Sequence, residues 1–362
     1  MRGGERVGSD LVLGDARRQV VAEDIAVILQ ADLPWDMLAD ANVLVTGAGG
    51  FLASYLVETL LAMRSRLGFG PARVVGLVRN IAAAERRYAE HCDRDDLQLL
   101  HGDVADPALA VPGRLDVIIH AASPATPRVY LTDPVGVLDA NLQGMRAMLA
   151  LARRDNARLL FVSSGEVYGQ TPVVPTAEDD YGYLDLQAVR SCYGEAKRAA
   201  EVMGVAWAHQ YGLHVGIVRP FHTYGPGVAL DDGRVFADFV ADVLAGRDIV
   251  MRSEGTSVRA FCYVADAIEG FFAVLLNGAS GTAYNIGNED AALSIAELAE
   301  LLVGLFPDKR LHVVRDLTPR GTEYAASPID RNIPSIARAR TLGWEPRVAP
   351  REGFFRMVRS YR

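Results

Sequence analysis

The sequence predicts an α/β protein: a doubly wound parallel sheet covered by helices on both faces, with a smaller C-terminal lobe. Short β-branched runs alternate with helical ones from Asn42 onward. NVLVTG, RVVGLV, LQLLHGD, LDVIIHAA, RLLFVSS and HVGIVRP are separated by stretches such as FLASYLVETLLAMRS and PVGVLDANLQGMRAMLALARR. Strands that are apolar throughout, rather than alternating, are buried on both faces. The first run leads directly into a glycine-rich turn and a helix start. A chain of 362 residues, 50% hydrophobic and 23% charged, has room for a large core and one added lobe.

The residues ahead of Asn42 form a separate piece. In ARRQVVAEDIAVILQADLPWDML, Val20, Val21, Ile25, Ile28 and Leu29 recur at near-helical spacing, and Pro34 is a stop signal. Residues 1–41 are read as an N-terminal helical extension that packs on the main body or on a second subunit. Residues 42–220 form the sheet domain. After Pro220 the alternation gives way to Gly-, Pro- and Asp-rich segments, so 221–362 is read mainly as a second lobe, with some segments returning to the first.

Composition narrows the function classes. The 37 Lys and Arg against 45 Asp and Glu give a net charge of −8, which disfavours a broad nucleic-acid-binding surface. Cys92, Cys192 and Cys262 lie far apart, and the 7 histidines include no H-x-x-x-H spacing, so neither a disulfide framework nor a metal site is expected. The opening MRGGERVGSD has no signal-peptide core, and no run approaches the ~18–20 apolar residues of a membrane helix. The expected location is the reducing cytoplasm, away from membranes.

The run Val43-Leu-Val-Thr-Gly47-Ala-Gly49-Gly50-Phe51-Leu52-Ala53 is a buried strand, a glycine turn and a helix start. Gly47 permits the tight turn, Gly50 lets backbone approach a pyrophosphate, and Ala53 is the small residue where helix and strand pack closely. Backbone amides from Gly49 through Phe51 and Leu52 then face the phosphates. This is the pattern of a Rossmann-type dinucleotide site. The second strand ends at Arg79-Asn80 without the acidic residue that binds an adenosine ribose 2′-hydroxyl. Arg79 faces a 2′-phosphate, which favours NADP, or stacks on adenine; the residues leave the choice open, with NAD the expected cofactor and NADP possible because of Arg79. Asp103, followed by Val104, closes the third strand, where its carboxylate accepts from an adenine amino group or holds a turn.

Tyr193 and Lys197 form Y-x-x-x-K in the helical stretch SCYGEAKRAAEVM, one turn apart on one face. The ammonium is expected to lower the phenol's pKa and make Tyr193 a general acid or base near neutral pH. Upstream, RLLFV runs into Ser163-Ser164-Gly165-Glu166. At the carboxyl end of a parallel strand, Ser164 is placed to bond a substrate hydroxyl, and Glu166 is an acid-base candidate in the same turn. The alternative has Ser164 capping the turn and Glu166 solvating it. Asn141, in ANLQG, bonds backbone or holds a water near Lys197, or is an ordinary polar helix position.

With TGAGGFLA, HAASPATP, SSGEVYG, YGEAK, RPFHTYGPG, DDGRVF, VRAFCYVAD, YNIGN and IARARTLGWEP, residues 42 to about 358 resemble the extended short-chain dehydrogenase/reductase family in its nucleotide-sugar branch. ASPATPRVYLTDP, SCYGEAKR and LGWEP are most similar to UDP-glucuronate decarboxylases, with 4-epimerases and 4,6-dehydratases as relatives. The resemblance implies that Tyr193 takes the C4 hydroxyl proton while hydride passes to the nicotinamide. Lys197 holds the nicotinamide ribose, Ser164 holds the hydroxyl, and the cofactor is recycled. Ala121, Ala122, Ser123 and Asn141 join the dinucleotide site. The sugar nucleotide lies against Pro124, Arg128, Gly165, Glu166, His222, Arg234 and Arg259, with Arg234 on the pyrophosphate and Glu166 and Arg259 by a sugar carboxylate. A homodimer through the helices containing Asn141 and Tyr193 is also implied.

Three outcomes branch from the implied 4-keto sugar. Decarboxylation needs a carboxylate lodged among polar partners. Dehydration needs a base for the C5 proton and an acid for the C6 hydroxyl, and Gly165 stands where dehydratases often carry aspartic acid. Epimerisation needs room for the ring to turn over, which Gly165 is expected to supply. Decarboxylases of this type carry Ser at Gly165, Asn at His222 and Arg at Gly227. The expected function is a nucleotide-sugar enzyme working through C4 oxidation, decarboxylase-like first and C4 epimerase second. A cofactor-binding scaffold without turnover has no need of Ser164, Tyr193 and Lys197 together.

Overall fold

The computed structural model describes residues 14–317 and 329–362, so the opening MRGGERVGSD lies outside the described residues. The six apolar runs form strands β1 (Asn42–Thr46), β2 (Arg73–Val78), β3 (Leu97–His101), β4 (Val117–His120), β5 (Arg158–Val162) and β6 (Val215–Pro220). A seventh, β7 (Thr282–Ile286), returns from the C-terminal part of the chain. Together they make a seven-stranded parallel sheet in the order β7-β6-β5-β4-β1-β2-β3. Alternate residues of one strand serve opposite cores. Val43 and Val45 join one apolar cluster, whereas Leu44 joins the other.

Helices α2 (Phe51–Leu67), α3 (Ile81–Arg87), α4 (Pro127–Thr132), α5 (Pro134–Asp155) and α6 (Ser191–Tyr211) connect the strands, and α1 (Asp15–Ile28) precedes them. Strand order reverses beside β1, whose Thr46 pairs with Leu77 of β2 on one side and His120 of β4 on the other. In open α/β sheets such a switch point, outside the carboxyl ends of the strands, is where the ligand crevice lies.

Helix α1 docks on the main body, against α2 and the C-terminal helix Pro350–Arg359. Val20, Ile25, Ile28 and Leu29 are buried, and the helix ends ahead of Pro34. Its fully buried Asp24 accepts hydrogen bonds from Tyr55 and Tyr263 at 2.9 Å each and from Arg356 at 3.2 Å. Beyond β6 come helices α7 (Val235–Ala245) and α8 (Val264–Asn277) and short strands, with α8 packed against β5, β6 and β7 and against α1 and α2. Residues Val264–Leu276 of α8 are all buried. No helix among the described residues is long and apolar enough to cross a membrane.

Candidate active site

The glycine turn is shaped by what surrounds it. Gly47 has φ +70, and a Cβ there would strike the backbone of Ala122 at 2.8 Å, so the turn lies directly on the chain leaving β4. Ala122 N donates to Thr46 Oγ1 at 3.1 Å, and that hydroxyl is 2.8 Å from His120 Nδ1. Gly50 caps α2 without a side-chain acceptor, which leaves first-turn amides, including those of Phe51 and Leu52, for a ligand. Gly49 faces open space, with Val78 Cγ1 at 4.0 Å as its near neighbour. Beyond Ala121 and Ala122, the Ser123 hydroxyl is buried without a partner. Open amides and an unmatched hydroxyl around a crevice fit a dinucleotide.

Arg79 and Asp103 stand at the ends of β2 and β3, 3.8 Å apart and both well exposed. Asp103 Oδ1 also accepts from Ala105 N at 2.9 Å, so it holds the turn. Val104 is buried and presses on Gly144 of α5, where an added Cβ would meet it at 2.8 Å. Asn141 is fully buried in α5. Its Nδ2 donates to Val137 O at 2.8 Å, and its Oδ1 has no partner.

Strand β5 delivers Ser164 to the head of a single 3-10 turn, Gly165–Tyr168, where its Oγ accepts from Glu166 N at 3.2 Å. Glu166 is held by both ends of one guanidinium, Arg190 Nη1 to Oε2 and Nη2 to Oε1, each 3.1 Å. Arg190 caps α6 three residues before Tyr193. Its role is invisible in the sequence, where a charged residue at a helix start reads as solvated.

Tyr193 is buried and stacked on Tyr130 of α4, ring centroids 4.6 Å apart at 15°. Lys197 Nζ donates to Val162 O at 2.7 Å and lies 5.8 Å from the Tyr193 ring. The expected depression of the phenol's pKa is not found. Burial pushes Tyr193 up to about 12, against the pull of the Ser164 hydroxyl. Burial also holds Lys197 down, to about 7, so its positive charge is weakened where it was expected to act.

The position a side chain at Gly165 would take is filled. A Cβ there would meet the Phe221 ring at 3.0–3.1 Å. His222 follows Phe221 with φ 24, and burial, with the charges of Arg259 and Arg234, pushes it down to about 3 and keeps it neutral. Arg234 caps α7, pairs with Asp232, and exerts its charge on Tyr193 and Tyr130. Arg259 turns its Nη1 to Val258 O and Asp330 O and its Nη2 to Ile329 O, at 2.8–2.9 Å. Pro124 is partly buried, and Arg128 lies exposed in the first turn of α4. No cluster of three or more His, Cys, Asp or Glu among the described residues is arranged to hold a metal.

The NAD dependent epimerase/dehydratase family model matches residues 43–287. UDP-glucuronic acid decarboxylase 6 of Arabidopsis thaliana is 35% identical over 326 residues, 90% of each chain. UDP-glucuronic acid decarboxylase 1 of Xenopus tropicalis is 33% identical over 89% of this chain and 72% of that one. A dTDP-glucose 4,6-dehydratase of Streptomyces venezuelae, solved with NAD bound, superposes with a TM-score of 0.73 and 26% identity over 88% of this chain and 96% of that one. With a crevice that fits a dinucleotide and a match spanning more than half its length, the chain belongs to the NAD dependent epimerase/dehydratase family.

Proposed function

We propose that the protein decarboxylates UDP-glucuronate with NAD as a recycled cofactor. The observation that carries this reading is the double hydrogen bond from Arg190 to Glu166 beside Ser164 and Tyr193. With both oxygens engaged, Glu166 is a poor base for the C5 proton that dehydration must remove. Its charge is also balanced, so a substrate carboxylate can sit next to it. Gly165 supplies no acid for a C6 hydroxyl, and the Phe221 ring fills the position a side chain there would take. The outcome favoured is loss of the C5 carboxylate. The carbon–carbon bond breaks, CO2 leaves, the electron pair passes to the C4 carbonyl, and a proton returns to C5. The decarboxylases 35% and 33% identical to this chain support the same substrate.

Bound NAD supplies the two-electron acceptor that makes the C4 carbonyl and later restores the alcohol. The glycine turn and the first amides of α2 hold its pyrophosphate, Lys197 its ribose. Tyr193, bonded by Ser164 and stacked on Tyr130, takes and returns the C4 hydroxyl proton. Arg234 and neutral His222 face the sugar nucleotide from the second lobe, so 42–220 holds mainly cofactor and 221–362 mainly substrate. NAD is preferred because Asp103 already faces Arg79 and repels a 2′-phosphate. Exposed Val135, Val202 and Val205 on α5 and α6 support a homodimer, and the free cysteines fit the cytoplasm.

Incubation with UDP-glucuronate, UDP-glucose and dTDP-glucose, read by mass spectrometry, tests the reading. It expects a product lighter by CO2 from UDP-glucuronate alone. An isomer of unchanged mass, or loss of water, overturns it.

A further inference from the structure

A small cavity of about 20 Å³ lies between α1, α2 and the end of α3, walled by Arg17, Val21, Ser54, Tyr55, Glu58 and Arg87. Arg17 is only 4% exposed, and its Nε and Nη1 are buried without a hydrogen-bond partner. The guanidinium sits where Gly227, at φ +98, has no side chain, since a Cβ there would collide with Nη2. Arg87 lines the same cavity, with its Nη1 donating to Ser54 Oγ at 3.2 Å. Glu58 is the carboxylate on the wall, and it is already held by His91 Nε2 at 2.7 Å. Two guanidinium charges therefore face one engaged carboxylate. Burial, and next the charge of Arg87, hold Arg17 below the usual arginine range.

Buried donors of a charged group need an acceptor. A water would satisfy the donors and leave the two guanidinium charges repelling each other. An anion answers both, and a cavity of this size admits a particle about as large as one water. We propose that the cavity binds a single monovalent inorganic anion of halide size, held by Nε and Nη1 of Arg17 with the charge of Arg87 beside it. The anion fastens the N-terminal extension to α2, the helix whose first-turn amides face the dinucleotide crevice. None of this depends on which sugar nucleotide is the substrate.

Crystals of the full chain grown in sodium bromide, measured at the bromine absorption edge, test the site without any substitution. The expected result is an anomalous peak within hydrogen-bond distance of Arg17 Nε and Nη1. In solution, the thermal midpoint should rise saturably with chloride or bromide at constant ionic strength maintained with gluconate. That rise should be lost in Arg17→Met and weakened at least 10-fold in concentration in Arg87→Met. Absence of the peak overturns the proposal, and so does a midpoint that responds to phosphate but not to halide.

Discussion

Helix α6 contributes one partner to each of two bidentate Glu–Arg pairs, and the pairs differ in burial. Arg190 at its start grips Glu166, with side chains 17% and 25% exposed; Glu201 farther along grips Arg219, with 9% and 6%. The buried pair extends into a network. Ser163 Oγ donates to Glu201, and Arg219 donates to Tyr168 OH at 2.8 Å and to Glu178 O at 2.9 Å. Tyr168 in turn donates to Asn285 Oδ1 at 2.5 Å. Although burial works against its charge, Glu201 and Tyr168 hold Arg219 above the usual range. Ser163 and Tyr168 bracket Ser164 and Glu166 in the chain, so the sealed pair anchors the turn that carries the open pair. The same chemistry makes a sealed scaffold at one pair, and at the other, more exposed pair, the group proposed to meet the substrate.

The comparison breaks most sharply at the scaffold pair. Arg219→Met leaves Glu201 buried and charged, at a cost of about 3–5 kcal/mol. Urea denaturation checks this, and a loss below about 1 kcal/mol would contradict the scaffold role. Arg190→Met removes charge-assisted bonds worth about 1.5–3 kcal/mol, expected as a roughly 10–100-fold fall in kcat/KM on UDP-glucuronate. Its denaturation midpoint should fall less than that of the Arg219 variant, because the pair is partly exposed, and a fall as large as that of the Arg219 variant would erase the distinction.

Lys197 sits between the pairs with a backbone carbonyl as its partner, and its effect is spread over pH. Burial sets its pKa at about 7 in the folded protein, against about 10.4 in an unfolded chain. Between those values the unfolded chain binds the extra proton, so stability rises with pH, by at most about 1.4 kcal/mol per unit. The stability of wild type minus that of Lys197→Met should therefore grow from about pH 7 toward pH 10. A flat or falling difference contradicts the assignment. Smallest is the exposed Arg79–Asp103 pair, which at 3.8 Å is worth about 0–1 kcal/mol. Arg79→Ala should change NAD affinity, measured by fluorescence titration, by less than about 5-fold.

Much of this architecture is legible in the sequence because it rests on local rules. Fully apolar strands, glycine at a tight turn and the Y-x-x-x-K spacing all report geometry within a few residues. What is not legible depends on distant contacts. Phe221 closes over Gly165 although the two lie on different strands' ends. Val104 follows Asp103 toward the cofactor loop in sequence, yet its side chain turns into the core at Gly144. Spacing alone puts an ammonium beside the Tyr193 phenol, but burial acts on both groups and reverses the expected shift. Hydrophobic periodicity finds α1 and passes over Arg17 and Asp24, because it counts apolar residues and both of these are buried charges.

The measurement that tests the central claim most directly follows the substrate's carboxyl carbon. Purified protein is supplied with UDP-glucuronate labelled at that carbon, and the label is traced in wild type and in Arg190→Met. The claim predicts labelled CO2 released in step with an unlabelled UDP-pentose, without net accumulation of NADH, and much slower release by the variant. Label retained in a sugar nucleotide that has epimerised at C4 would contradict it.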